Sequence, residues 1–315
     1  MNVNKLLVTF FVISVAANIG AFVLLRQDTP DVKSAQDYAA LEERYSFLSK
    51  RVLMDLPADL LLNFLALRNE LTTQVTPYGD TFGLTFEYLP TGTAININGN
   101  NKFYAASLFK VPVIMAYYHG RERLHLTDDP TIVVKQDQLD SEFGNLWKKG
   151  AGTKLKASEA IRLALVESDN TAIKALIPYV EDEDFKTVYN GLDLNLSSTP
   201  EGALISTREY ATILKALYFS SVLNKDDSQA ILSMLSESSF SNKLVAGVLP
   251  GTLVAHKIGD FKDENKEGYR DCGIVYVPRR QYLLCMYSTS NEATANERMK
   301  VVSKIIYDYV STLSH

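Results

Sequence analysis

Cysteine and histidine are scarce in this chain, with only Cys272, Cys285 and four histidines among 315 residues. No CxxC pair occurs and the histidines are scattered, so no metal-ligand spacing is present and no metal is expected. Both cysteines fall in strand-like segments flanking a short turn. That placement allows a disulfide, but a bond between adjacent strands is geometrically demanding, so two buried free thiols are the favoured expectation. Positive charge is not in excess either: 32 Lys and Arg face 37 Asp and Glu, a net charge of −5. With no basic stripe and no nucleic-acid motif, a general nucleic-acid binder is excluded. The GxSxG elbow is missing, which argues against a Ser-His-Asp triad. His119 and His125 fall near one helix end, and strand alternation turns His256 away from its neighbour Lys257. These three are left out of the expected site. Internal repeats and low-complexity segments are also absent.

What is present is ordinary globular composition, 46% hydrophobic and 22% charged, in a length that holds one large domain or two modest ones. Leu6 to Leu25 is an uncharged run of 20 residues between Lys5 and Arg26, long enough to cross a bilayer as a helix. Ser14-Val15-Ala16 weakly resembles a signal cleavage site, but the apolar run continues from Ile19 to Leu25. An uncleaved anchor over residues 1–26 is therefore expected, although its flanking charges do not fix its orientation. Residues 27–56 read as a polar linker followed by a helical stalk. Leu41, Tyr45, Leu48 and Val52 form one face of that stalk (residues 34–55), which could meet a partner helix but is too short for a coiled coil.

The remaining residues, 57–315, read as one domain. Helical spacing is expected over Ala58–Thr73, Leu108–Tyr118, Ala157–Val166, Thr171–Tyr179, Thr207–Phe219, Ser228–Leu235 and Ala293–Leu313. Strands are expected over Phe82–Leu89 and Thr93–Ile97, joined as a hairpin, and again over Thr252–Ile258, Tyr269–Val277 and Gln281–Ser288. Strands at both ends around a helical middle give an α+β class: one antiparallel sheet from the chain termini with a mainly helical insertion. A cleft between the two parts is where a site would form.

Three short motifs carry chemistry. In Ser107-Leu108-Phe109-Lys110, a helical turn places Lys110 on the same face as Ser107. A serine hydroxyl is a weak nucleophile without a base, and a lysine serves as one only when burial or another cation lowers its pKa. The apolar run Val111, Val113, Ile114 and Met115 would bury this helix, and Pro112 is tolerable in its first turn. Taken alone, the pattern is met equally by a capping serine and a solvated lysine. Ser168-Asp169-Asn170 breaks an apolar context with three small polar residues. Ser168 or Asp169 would cap the next helix, and the others would face the cleft. His256-Lys257-Ile258-Gly259 ends an apolar strand, where Lys257 supplies a second cation and Gly259 permits close backbone approach. The N–H of Asp260 could join that of Ser107 around an oxyanion.

In this order, Ser107-x-x-Lys110, Ser168-Asp169-Asn170 and Lys257-x-Gly259 resemble the three boxes of class A β-lactamases and penicillin-binding proteins. The likeness runs from about Leu60 to the C-terminus. It implies the β-lactamase/transpeptidase-like fold, no cofactor, and an acyl-enzyme at Ser107. Lys110 would be the base or relay, Ser168 with Lys257 would protonate the leaving nitrogen, and Asn170 would bind the acyl-side amide. Gly259 and Asp260 would line the oxyanion side. The substrate would be a β-lactam or a cell-wall peptide, met outside the cytoplasm in the cell envelope. Two departures stand out. The deacylating glutamate's position falls at Gly191, with Asp193 or Glu201 as substitutes, so slow deacylation is expected. Ile258 replaces the usual hydroxyl, so anion recognition should differ. A carboxypeptidase-like enzyme and a catalytically weak binding module are the alternatives.

Overall fold

The computed structural model describes residues 43–47, 64–194, 197–199, 202–264 and 266–313. The expected anchor, Leu6 to Leu25, and most of the stalk lie outside these. Among the described residues no helix is long and apolar enough to cross a membrane.

Helix α1 (Leu65–Val75) leads into the hairpin β1 (Phe82–Tyr88) and β2 (Thr93–Ile97), then β3 (Phe103–Tyr104). A 3₁₀ turn at Ala106–Phe109 precedes α2 (Lys110–Arg123). Next come β4 (Thr131–Val133), β5 (Lys154–Lys156), α3 (Ala157–Val166), α4 (Asn170–Leu176) and α5 (Asp182–Gly191). The strands β6 (Ser197–Thr199) and β7 (Gly202–Ile205) precede α6 (Thr207–Tyr218) and α7 (Lys225–Ser236). The chain closes through β8 (Val254–Ile258), β9 (Phe261–Lys262), β10 (Glu267–Val275), β11 (Tyr282–Ser288) and α8 (Glu292–Thr312).

The main sheet runs β2-β1-β11-β10-β8, with β9 on β10, and every pairing is antiparallel. It is assembled from both ends of the domain, as expected, and it separates two apolar cores. The outer core joins Leu67 and Leu71 of α1 and Met299, Val302 and Ile306 of α8 to Phe86, Leu284 and Met286. The inner core joins Ala255, Ile274, Leu283 and Tyr287 to the apolar faces of α2, α3, α6 and α7. Period-two alternation along β8, β10 and β11 assigns each residue to one core or the other.

Three features differ from the sequence reading. The cysteines are not free thiols: Cys272 and Cys285 form a disulfide. The register sets them directly opposite each other on β10 and β11, which brings the two sulfurs together. Helix α5 was not expected, because only Phe185, Val188 and Tyr189 give it an apolar side. Its first turn carries Asp182, Glu183 and Asp184, acids that favour a helix N-terminus. In the region read as stalk, Phe47 is buried edge-on against Tyr276 with ring centroids 5.3 Å apart. The Tyr276 hydroxyl donates to the Phe47 carbonyl at 2.8 Å. Tyr45, from the face offered to a partner helix, packs on the same inner core.

Candidate active site

Ser107 lies inside the 3₁₀ turn, not on the α-helix that follows. In a 3₁₀ turn residues i and i+3 eclipse, so Lys110 stands directly over Ser107, and its Nζ donates to Ser107 Oγ at 2.9 Å. Ala106, just before the serine, has φ +47°, a left-handed conformation that is costly for a residue with a side chain. Pro112 falls among the first residues of α2, where helix N–H groups lack partners in any case.

Between α3 and α4 the chain turns through Ser168, which is buried and also left-handed at φ +57°. Asp169, not Ser168, is the cap of α4. Its carboxylate accepts the N–H groups of Ala172, Asn145 and Leu146, each at 2.8 Å. Ser168 is thereby left to the cleft. Its Oγ accepts from Lys110 Nζ at 3.1 Å and from Lys257 Nζ at 2.8 Å. With both acceptor positions occupied, the hydroxyl proton is free to be donated elsewhere. The Ser168 carbonyl and, at 2.7 Å, Asn170 Oδ1 also lie within bonding distance of Lys110 Nζ, so four acceptors share its three protons. Asn170 Nδ2 gives one proton to Asp140 Oδ1 at 3.2 Å, which leaves a second for an incoming carbonyl.

Lys257 reaches this cluster from β8, paired in register with Cys272 on the inner face. Gly259 then lets the strand pass against the nucleophile turn. A Cβ there would lie 2.8 Å from the Ala105 carbonyl oxygen and 3.0 Å from the Leu108 side chain. Among the described residues the Asp260 N–H, which lies between β8 and β9, makes no backbone hydrogen bond. The Asp260 amide therefore remains available as an oxyanion donor.

The electrostatics follow from burial. It brings the Lys110 ammonium down to about 7, against the opposing pull of Asp169, Asp140 and Glu142. Lys257 is lowered well below the usual lysine range, first by burial and then by the charge of Lys110. Two ammonium groups on one serine oxygen repel, so they titrate as a pair and do not both stay charged at neutral pH. Among the described residues no carboxylate lies within ion-pair distance of either lysine.

Residues 66–310 match the sequence model of the beta-lactamase enzyme family. The chain belongs to that family. Its similar solved structures include PBP-A, at TM-score 0.72 and 24% identity, covering 82% of this chain and 100% of that one. A mutant of PBP-A in acyl-enzyme complex with penicillin G reaches TM-score 0.73 at the same identity and coverage. The β-lactamase from Sphaerobacter thermophilus gives TM-score 0.69 at 18% identity, covering 80% of this chain and 99% of that one. At such identities the likeness is one of fold. No curated protein matches the chain.

This β-lactamase family member thus brings Ser107, Lys110, Ser168, Asn170 and Lys257 into one hydrogen-bonded cluster, with Gly259 and Asp260 beside it. Of the expected glutamate substitutes, Asp193 is exposed in a left-handed turn after α5, and Glu201 lies outside the described residues. Gly191 is exposed at the end of α5. Ile258 pairs in register with Asp271, on the face turned away from Lys257. His256 Nδ1 donates to Asp271 Oδ1 at 2.8 Å and stays out of the site.

Three residues near the cluster escaped the sequence reading. Asp140 orients Asn170 and pairs with Lys174 at 2.7 Å. Lys243, fully buried, pairs with Asp260 Oδ2 at 2.9 Å. Phe240 lies under the Lys257 ammonium, 6.0 Å from ring centre to nitrogen. None of them belongs to a local motif, so only the fold brings them to the site.

Proposed function

We propose that the protein is a membrane-anchored serine acyl-hydrolase of the cell envelope that forms an acyl-enzyme at Ser107 with β-lactams or related cell-wall acyl-amides. Ser107 Oγ attacks the carbonyl carbon as its proton passes to the neutral Lys110 amine. The Ser107 and Asp260 N–H groups hold the oxyanion. When the C–N bond breaks, Ser168 gives its hydroxyl proton to the leaving nitrogen and is reprotonated from the lysine pair. Water then cleaves the ester and returns the proton to Ser107 Oγ.

One observation carries the rate argument. The hydrogen-bond partners of Lys110 are two serines and an asparagine, and the position where the family carries its deacylating glutamate holds Gly191, which is exposed at the end of α5. Acylation is therefore expected to outrun deacylation, which favours a penicillin-binding or carboxypeptidase-like role over rapid drug hydrolysis. The apolar run Leu6–Leu25 supports the anchor, and the Cys272–Cys285 disulfide suits an oxidising compartment outside the cytoplasm.

Intact-mass spectrometry of the full-length protein with penicillin G, alongside Ser107→Ala, tests this reading. A persistent adduct on the wild type alone is expected. Drug loss with no adduct would show fast turnover and a deacylating group elsewhere. Neither adduct nor drug loss, with no labelling by a broad serine-hydrolase probe, would leave a binding module.

A further inference from the structure

A cavity of about 840 Å³ adjoins the nucleophile without containing it. Its wall includes Phe103, Tyr104, Phe261, Tyr287 and Arg270. None of the acyl-transfer residues lines it, yet it shares chain with them. Tyr104 lies three residues before Ser107, Phe261 follows Asp260, and their rings meet edge-on at 4.9 Å.

Arg270 is the unusual member. Only 3% of the residue is exposed, and its Nε has no hydrogen-bond partner. Among the described residues its side chain makes one long hydrogen bond, Nη1 to the Gly259 carbonyl at 3.4 Å. Among the described residues it has no ion pair, and the nearby Asp260 is already held by Lys243. Burial lowers its guanidinium to about 10. The ring of Phe103 stands 5.4 Å from the guanidinium carbon. Gly268 keeps room for the group, since a Cβ there would fall 2.7 Å from both Nη atoms.

A buried cation is costly unless paired, and a guanidinium fork fits a carboxylate in two parallel bonds. The aromatic wall suits a flat apolar body behind that carboxylate. Two acids, Asp80 and Glu267, also line the cavity. Glu267 is engaged by the Tyr269 hydroxyl at 2.8 Å and by Lys262 at 3.9 Å, and Lys266 adds a cation to the lining. We propose that this cavity binds a carboxylate with an aromatic or flat apolar body, and that Arg270 is its counterion.

The carboxylate has two possible sources: the acyl arm of the substrate, extending past Tyr104 and Phe261, or a free small acid. Only the first source rests on the acyl-hydrolase reading above.

The direct test is calorimetric titration of the full-length protein and of Ser107→Ala with phenylacetate. Saturable binding to both is expected, weakened at least ~10-fold in Arg270→Gln, the scale of a lost charge-assisted pair. Arg270→Lys should fall between, having charge but no fork. If the variants fail to fold, the ¹⁵Nε resonance of Arg270 in the unmutated protein must shift on titration. No saturable binding, equal binding by Arg270→Gln, or an unmoved resonance would each overturn the proposal.

The source is then read from acylation by penicillin G, whose arm is neutral, and by a penicillin with an adipyl arm ending in a carboxylate. If the arm is the source, Arg270→Gln lowers the adipyl-to-benzyl rate ratio at least ~10-fold. An unchanged ratio with phenylacetate still bound assigns the cavity to a free acid. If no penicillin acylates Ser107, the acyl-hydrolase reading fails, and phenylacetate binding still decides the cavity.

Discussion

The two faces of the main sheet treat buried charge in opposite ways. On the outer face, His256 and Asp271 are almost fully buried and complete each other: one carboxylate oxygen meets the imidazole, the other accepts the Leu244 N–H at 3.0 Å. Around them lies an apolar core shared with α1 and α8. On the inner face, Lys110, Lys257 and Arg270 are equally buried and none has a carboxylate partner among the described residues. A satisfied polar pair contributes to holding the fold, whereas an uncompensated cation costs stability and keeps its reactivity. The outer face is built for stability and the inner face for chemistry.

That contrast can be broken by substitution. The largest effect is expected for Lys110→Met, which should slow acylation by penicillin G ~10³-fold, the range of a lost general base, in rapid-mixing kinetics. Lys257→Met should slow it about 10²-fold and also raise the thermal midpoint, because a desolvated charge is removed while Ser168 Oγ keeps its bond from Lys110. A lower midpoint would end the distinction between the faces. On the outer side, Met299→Ala should destabilise by ~2–4 kcal/mol in denaturant titration while leaving the acylation rate unchanged. The wild-type acylation rate should rise with pH through about 7, as Lys110 loses its proton to become the base. The smallest effect belongs to Lys174→Gln. It removes a cation that lowers Lys110 and unmasks Asp140, which raises it, so the limb should move to slightly higher pH. Movement to lower pH would contradict this electrostatic account.

Much of the site was legible because its motifs are local. Ser107 and Lys110 lie one turn apart, Ser168 to Asn170 are contiguous, and Lys257 and Gly259 share a strand end. The outer face was legible for the same kind of reason, since apolar positions such as Val302 and Ile306 recur at helical spacing. What depends on register was not. The pairing of Cys272 with Cys285, and the isolation of Arg270 two residues away on the same face, follow from how β10 meets β11. Asp140 and Lys243 reach the site from segments with no motif of their own. Helix α5 escaped because its stripe of three apolar residues is too brief to give a periodic signal.

The close passage of Gly259 beneath Ala105 and Leu108 also limits how such a protein can diversify. With the oxyanion strand and the nucleophile turn in backbone contact, neither can gain a side chain without displacing the other. New substrate ranges must therefore be reached through the rim. Phe143, which belongs to none of the three motifs, lines the neighbouring pocket of about 310 Å³ together with Asn242 and Glu292, and such rim positions are free of that backbone contact. The centre is mechanically frozen, and the periphery is where selection has room to act.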